Sequence, residues 1–319
     1  MNDVDILIIS NSKDFTTDYV CVELNKRKCK YLRLNRDLFH AYLVDFNIDT
    51  LELKLKIENK EYLIKNETLK SVYYRAPIYL HYIPKKELLY EEQLYRSQWM
   101  AFIRNLMLFE NASWMNNPEA TFRSENKMSQ LKYARQCGFV CPSTRLVNSV
   151  DGINLIDNKT YVVKSLDTVI LRQGSEEAFS YTNVLSGQEL SNANLQMAPV
   201  IIQENIAHKV DIRVTVVADT VFSVKIVNNA NNGISGDWRK QKEQAKFISI
   251  NLPQDIKESC VNLTKKLGLS FGGIDLALSS NIYHFIEINP TGEWAWLVNS
   301  ADQKIDEAIC DFLCMRAST

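Results

Sequence analysis

Three oxygen-bearing side chains towards the end of the sequence have the types and spacing of a divalent-cation site. Residues Phe271 to Leu278 and Ile282 to Asn289 flank Ser279-Ser280-Asn281, which predicts a hairpin closed by a three-residue turn. In that arrangement Ile274, Leu276, Leu278, Ile286 and Ile288 share the core face. Asp275, Glu287 and Asn289 then fall together on the other face. Two carboxylates and an amide oxygen form a hard-oxygen set suited to Mg²⁺, with nucleotide phosphates completing the shell. The alternative is that odd positions on an exposed sheet face are simply polar. Gly272-Gly273 before Asp275, and Pro290-Thr291-Gly292 after Asn289, favour the metal reading.

A second constellation joins two apolar runs. Gln203-Glu204-Asn205-Ile206 ends one, and Asp211-Ile212-Arg213 opens the next. An exposed backbone link of this kind can pair with an adenine edge without any special side chain. Asp211 and Arg213 project to the same side of their strand. A carboxylate suits ribose hydroxyls and a guanidinium suits phosphate oxygens. A surface ion pair beside an ordinary turn accounts for the same residues, and spacing alone leaves both readings open. Lys164 ends the apolar strand Tyr161-Val162-Val163, where a buried stem could present its ammonium to phosphates. Lys127, taken alone, reads as a solvated mid-helix residue. Gly174 and Gly187 are isolated, and neither G-x-x-x-x-G-K-S/T nor G-x-G-x-x-G occurs. P-loop NTPases and typical dinucleotide binders are thereby excluded. No general base stands out; His208 and His284 are the candidates.

Together these residues resemble the ATP-grasp carboxylate–amine ligases over roughly Pro118 to the C-terminus, while the preceding region matches in plan. The resemblance implies ATP bound between two antiparallel sheets, with a smaller Rossmann-like domain before them. It implies Lys127 and Lys164 as phosphate-contacting lysines, and Gln203, Glu204, Asn205 and Ile206 at the adenine hinge. Asp211 takes the ribose place, Arg213 approaches the transferred phosphoryl group, and Asp275, Glu287 and Asn289 hold Mg²⁺. Ser235-Gly236-Asp237-Trp238-Arg239 occupies the position of a second arginine, so Arg239 is expected at the acyl phosphate.

Tyr73-Tyr74-Arg75-Ala76-Pro77 and Asn289-Pro290-Thr291-Gly292-Glu293-Trp294-Ala295-Trp296-Leu297 look like a narrower branch, the microviridin or graspetide macrocyclases. That branch commonly has two successive arginines before the proline, where this chain has Arg75-Ala76. The resemblance implies a homodimer acting on a ribosomally made precursor peptide, joining Asp or Glu side chains to Ser or Thr hydroxyls or Lys amines. Arg75, Trp294 and Trp296 would position that peptide. Two other readings are an enzyme adding amino acids to a peptide C-terminus and a nucleotide-binding regulator without chemistry. The usual glycine-rich flap is poorly matched by Ser165 to Gly174, so no phosphate contact is expected there.

The elements that must carry these residues can be sketched from periodicity. Val4 to Ser10, a helix from Phe15 to Lys28, and Lys30 to Leu34 predict a β-α-β opening with a small parallel sheet. Leu51 to Ile57 alternates strictly and should pair with Tyr62-Leu63-Ile64 as a hairpin, and Val72 to Arg75 adds a strand. A helix is expected from Glu87 to Phe109, and a further single helix from Pro118 to Gln136. Strands follow at Thr144–Val147, Tyr161–Lys164, Val200–Gln203, Ile212–Val217 and Val221–Val227. Helices are expected at Pro253–Leu267 and Asp302–Cys314. The result is a mixed α/β (α+β) chain divided into an N-terminal domain (1–117), a central lobe (118–205) and a C-terminal lobe carrying the metal hairpin (206–319).

At 319 residues, 46% hydrophobic and 24% charged, the chain should fold into more than one subdomain. Lys plus Arg number 37 and Asp plus Glu 38, for a formal net charge of −1. That balance argues against a broad nucleic-acid surface, although a local basic groove is compatible with it. No stretch reaches the roughly 18 to 20 apolar residues of a membrane span, and the acidic start lacks a signal-peptide plan. A cytoplasmic protein is expected. Seven cysteines, including the pairs Cys137/Cys141 and Cys310/Cys314, read as structural thiols rather than zinc ligands.

Overall fold

A computed structural model describes residues 2–75, 88–167, 170–173, 176–179, 182–234, 238 and 243–315. The opening β-α-β unit forms a four-stranded parallel sheet in the order Tyr31–Asn35, Ile6–Ser10, Ser71–Tyr74, Ser113–Met115. Every residue of Ile6–Ser10 is buried, as expected of an apolar run covered on both faces. The helix Phe15–Lys26 starts at Asp14, whose side chain accepts from the Thr17 N–H. A second four-stranded sheet carries the expected hairpin, Glu52–Ile57 against Lys60–Lys65, between Tyr42–Asn47 and Asn2–Asp3. Leu53 and Leu55 are buried there, while Lys54 and Lys56 face solvent.

Two antiparallel sheets follow. One orders Asn183–Ser186, Thr160–Lys164, Val200–Glu204 and Thr144–Val147. The other orders Lys246–Ser249, Thr220–Val227, Val210–Val217, Phe271–Ser279 and Ile282–Asn289. The helices Lys127–Gln136 and Gln254–Lys266 cover the core face of this five-stranded sheet, packing Leu131, Ala134, Cys260 and Leu263 against Ile212, Val214, Ile274 and Phe285.

One helix expectation needs correction. The helix expected over Pro118–Gln136 is two helices, Pro118–Ser124 and Lys127–Gln136. Asn126 caps the second by accepting from the Ser129 N–H at 2.9 Å, so Lys127 is a first-turn residue rather than a mid-helix one. The closing helix expected over Asp302–Cys314 is present as Ile305–Cys314, and a short helix that was not expected, Ala295–Ala301, precedes it. Asp302 ends the short helix in the left-handed region, at φ 48°. The last helix lies on the parallel sheet, where Ile305, Ile309, Cys310 and Leu313 pack with Ile6, Ile8, Val20 and Leu24. Ser71 Oγ donates to the Leu313 carbonyl at 2.7 Å and Arg27 Nη1 to Asp311 at 2.6 Å. Among the described residues no helix is long and apolar enough to cross a membrane.

Candidate active site

The hairpin that carries the acidic residues turns in two residues, not three. Ser279 pairs with Ile282, leaving Ser280 and Asn281 at φ 50° and 60°, the geometry of a tight hairpin turn with both central residues left-handed. The pairing register then shifts between Asp275 and Leu276. Asp275 lies opposite Glu287, and Leu276 lies opposite Phe285, so Ile286 is the extra residue of a bulge. The bulge reverses the parity of the strand. Phe285 fills the core place expected for Ile286, and Ile286, half-buried, joins the cleft wall instead.

That cleft has a volume of about 530 Å³ and lies between the two antiparallel sheets. Of the residues singled out in the sequence, Lys164, Gln203, Glu204, Asn205, Ile206, Asp211, Asp275 and Glu287 all line it. Val162, Val184, Ile234 and Trp238 supply apolar wall. Gly233 closes one side against the backbone, since a Cβ there would collide with the Lys209 carbonyl.

Polar residues in the cleft are held by neighbours. Buried Gln203 accepts from Lys164 Nζ at 3.2 Å and donates to Thr144 Oγ1 at 2.9 Å, which aims the ammonium. Burial lowers the pKa of Lys164; the nearby Lys127 and Lys209 charges act in the same direction, against Glu287 and Asp275. Lys127 stands beside it, its Nζ donating to the Ser165 carbonyl at 3.1 Å. At the link, Asn205 Nδ2 donates to Thr160 Oγ1 at 3.0 Å, Glu204 pairs with Lys159, and Asp211 pairs with Lys209.

Arg213 occupies a slot made by two glycines. Its Nη1 donates to Asp275 Oδ1 at 2.9 Å and its Nη2 to the Glu293 carbonyl at 3.2 Å. A Cβ on Gly273 would stand 2.5 Å from Nη2, and one on Gly292 2.6 Å. The glycines flanking the acidic residues therefore make room for the guanidinium. Arg213 Nε is buried and has no hydrogen-bond partner among the described residues. From the other side Arg75 reaches the same turn, donating to the Thr291 carbonyl at 3.0 Å and to Glu293 Oε1 at 2.9 Å. Its Nε also donates to Asp14 Oδ2 at 3.2 Å, within a pair only 6% and 9% exposed. Burial raises the Asp14 carboxyl, but Arg75 and the Thr17 and Ser10 hydroxyls outweigh it and hold the pKa below the usual range. Asn289 stands opposite Gly273 at the exposed end of the hairpin, its Oδ1 accepting from the Thr291 N–H at 2.9 Å.

The residues expected to position a peptide fare unevenly. Trp294 is 0% exposed and packs edge-on against Tyr19 in the core of the parallel sheet, so it has no surface to offer a peptide. Arg75 is likewise turned inward. Trp296 is partly exposed and packs edge-on against Phe247 and tilted against Trp238, at ring separations of 4.8 and 5.6 Å. Through Trp238 that cluster reaches the cleft. Arg239 lies outside the described residues. His208 lines the cleft, while His284 has a buried Nδ1 without a partner among the described residues and a pKa lowered by burial.

Sequence reasoning missed Asp14, Asn116, Gln130, Trp238 and Glu293. Trp238 adjoins Arg239 in a stretch already singled out and could have been found there; the amides of Asn116 and Gln130 carry no local signal of burial.

The donor set fits a cation with phosphates. Asp275 and Glu287 are carboxylates placed directly opposite one another, the donor type hard cations prefer. The Arg213 guanidinium, paired with Asp275 at 2.9 Å, places positive charge beside them. These residues could hold Mg²⁺ and a nucleotide's phosphates, with the apolar walls beside the base.

Comparisons with known proteins bear on the family and the fold. The RiPP-associated ATP-grasp ligase of Chryseobacterium gregarium, solved with ADP and a leader and core peptide, is 28% identical. The match covers 98% of this chain and 97% of that one, with a TM-score of 0.82. The macrocyclase MdnC of Microcystis aeruginosa MRC, bound with precursor peptide MdnA, shares the fold at 22% identity and a TM-score of 0.81, covering 97% and 98% of the two chains. A probable alpha-L-glutamate ligase of Saccharophagus degradans is 25% identical over 211 residues, 62% of this chain; the match spans 66% of that protein's length. The model of the RimK-like ATP-grasp domain matches residues 125–313, more than half of the chain. This protein belongs to the RimK-like ATP-grasp family.

Proposed function

We propose that this protein is an ATP-dependent, ADP-forming peptide macrocyclase. It would join Asp or Glu side chains of a ribosomally made precursor to hydroxyls or amines of the same peptide. The observation that carries this reading is the end-to-end match, at 28% identity, to a ligase solved with ADP and a leader and core peptide. A carboxylate is a poor acylating agent because its leaving group would be oxide; bound ATP and Mg²⁺ would supply the phosphoryl group and the charge neutralisation that overcome this.

In this reading Asp275, Glu287 and Asn289 hold Mg²⁺. Lys164, aimed by Gln203, and Lys127 meet the phosphates. Glu204, Asn205 and Ile206 border the base, and Asp211 takes the ribose. Arg213, held by Asp275 and the Glu293 carbonyl, supplies positive charge beside the phosphoryl oxygens. Arg239 takes the second arginine role. The aromatic cluster of Trp238, Phe247 and Trp296 forms the apolar margin for the peptide, and Arg75 supports the Thr291–Glu293 turn from beneath.

A second reading, addition of free amino acids to a peptide end, is favoured by the relatives named probable alpha-L-glutamate ligases. Incubation with ATP, Mg²⁺ and the peptide encoded beside its gene separates the two by intact mass. Ring closure removes one water per link and releases ADP and phosphate. A mass gain of one or more amino acids supports the second reading, and an unchanged peptide contradicts both.

A further inference from the structure

The strand Ile282–Asn289 is the edge of the five-stranded sheet, so part of its backbone points away from the ladder. Near its middle, the Phe285 N–H meets the Val140 carbonyl at 2.8 Å. At its functional end the partner is a side chain. Gln130 Nε2 donates to the Ile288 carbonyl at 2.8 Å, and the Ile288 N–H donates back to Gln130 Oε1 at 3.1 Å. The second Nε2 hydrogen goes to the Ser124 carbonyl at 2.7 Å.

Beyond Asn289 the chain is held by another amide. Asn116 Nδ2 donates to the Pro290 carbonyl at 2.7 Å and to the Phe271 carbonyl at 2.9 Å, while its Oδ1 accepts from the Ser270 and Phe271 N–H groups at 2.8 Å each. Asn116 is 1% and Gln130 3% exposed. Burying a primary amide costs stability unless its donors and acceptors are used, and here every donor hydrogen is used. Flipping either amide would set donors against donors, so both orientations are determined by their partners.

We propose that Gln130 and Asn116 are positioning residues that fix the backbone on either side of Asn289, and thereby hold the oxygens of Asp275, Glu287 and Asn289 in place for the metal. The proposal rests on the reading of those three residues as the metal set. Glu287 and Asn289 flank the residue Gln130 grips, and Phe271, gripped by Asn116, begins the strand that carries Asp275. Gln130 also lies one turn from Lys127 on the same helix, so one element carries both a phosphate-side lysine and the support of the metal strand.

The test is calorimetric binding of Mn²⁺·ADP to the full chain, alongside ADP with a chelator. Loss of a residue that orients metal ligands weakens metal affinity by about 10- to 100-fold. Gln130→Met and Asn116→Ala should show that loss with metal present, while metal-free ADP binding stays at the wild-type value. Gln136→Ala, an exposed change on the same helix, should match wild type throughout. Glu287→Gln separates the two levels of the argument. If it leaves Mn²⁺·ADP binding unchanged, the metal assignment falls and the proposal with it. If Glu287→Gln weakens binding while folded Gln130→Met does not, only the positioning role is overturned. Should Gln130→Met fail to fold, Gln130→Glu decides; it keeps the acceptor for the Ile288 N–H and loses both donated bonds, so weakened binding supports the proposal and wild-type binding overturns it. Hydrogen exchange of the wild-type Ile288 amide needs no variant: protection equal to the sheet's ladder amides supports the grip, and exchange as fast as an exposed edge amide overturns it.

Discussion

Gly273→Ala perturbs the site without removing any group that does chemistry. The added methyl would stand 2.5 Å from Arg213 Nη2 and 2.9 Å from Cζ. Ordinary contact needs about 3.5 Å, so the guanidinium must retreat by about 1 Å. Gly292 is as close to the same nitrogen, so the guanidinium cannot shift within the slot and must move out of its present position against Asp275. A 2.9 Å bond to Asp275 opened by about 1 Å lies beyond hydrogen-bonding range. Breaking a buried pair costs about 3–5 kcal/mol; with relaxation and residual attraction, about 2–3 kcal/mol is the loss expected at the site. That converts to a kcat lower by about 30- to 150-fold. Gly272→Ala is the internal comparison, since its methyl would meet Ile288 Cδ1 at 2.7 Å on the opposite, core face. Overpacking there should cost about 1–3 kcal/mol of stability and leave kcat unchanged. Peptide-dependent ADP release at saturating substrate, with a thermal melt for each variant, reads both effects. Full turnover in Gly273→Ala, or equal loss in the two variants, would refute the slot.

Glu287→Gln should abolish peptide-dependent ADP release while the melting temperature stays at or above the wild-type value; retained turnover would remove Glu287 from the metal set. Lys164 has its pKa lowered below the usual 10.5, chiefly by burial, so its charge is lost earlier than an ordinary lysine's as pH rises. ADP affinity should therefore fall on the alkaline side below that value, and Lys164→Arg should abolish the fall; an identical pH profile in the variant counts against the assignment. Asp14 has a folded pKa below the usual 3.8. Its contribution to stability is thus complete above the carboxylate range and is lost as pH falls through the depressed value. Arg75→Ala strips the partner of a buried carboxylate and should cost about 3–5 kcal/mol. Burial then weighs more heavily on Asp14, so the acid-side slope of stability against pH should flatten; melts across that range giving the wild-type slope would contradict the pairing.

Where packing follows sequence period, the reading of the chain holds closely. The buried run Ile6–Ile9, the alternation of Leu53 and Leu55 with lysines, and the acidic hairpin all announce themselves by which side chains must leave water. Tyr42–Asn47 and Lys246–Ser249 do not, because edge strands leave much of their surface exposed and are specified by pairing with a distant neighbour. The break at Asn126 is hidden inside an unbroken helical pattern; only the capping bond to Ser129 shows it. Ile286 has the side chain of a core residue, and a bulge alone moves it to the cleft. Trp294 resembles its branch in sequence, yet its surface is consumed by the core beneath the parallel sheet. Asn116 and Gln130 lie furthest from prediction, since nothing local distinguishes a buried, fully bonded amide from a solvated one.

The central claim is that a peptide carboxylate is activated in this cleft by phosphoryl transfer. A precursor peptide labelled with heavy oxygen in its Asp and Glu carboxylates tests that claim most directly. After reaction with ATP and Mg²⁺, the account predicts one labelled oxygen in the released inorganic phosphate for each ring closed. Cyclised peptide accompanied by unlabelled phosphate would contradict it.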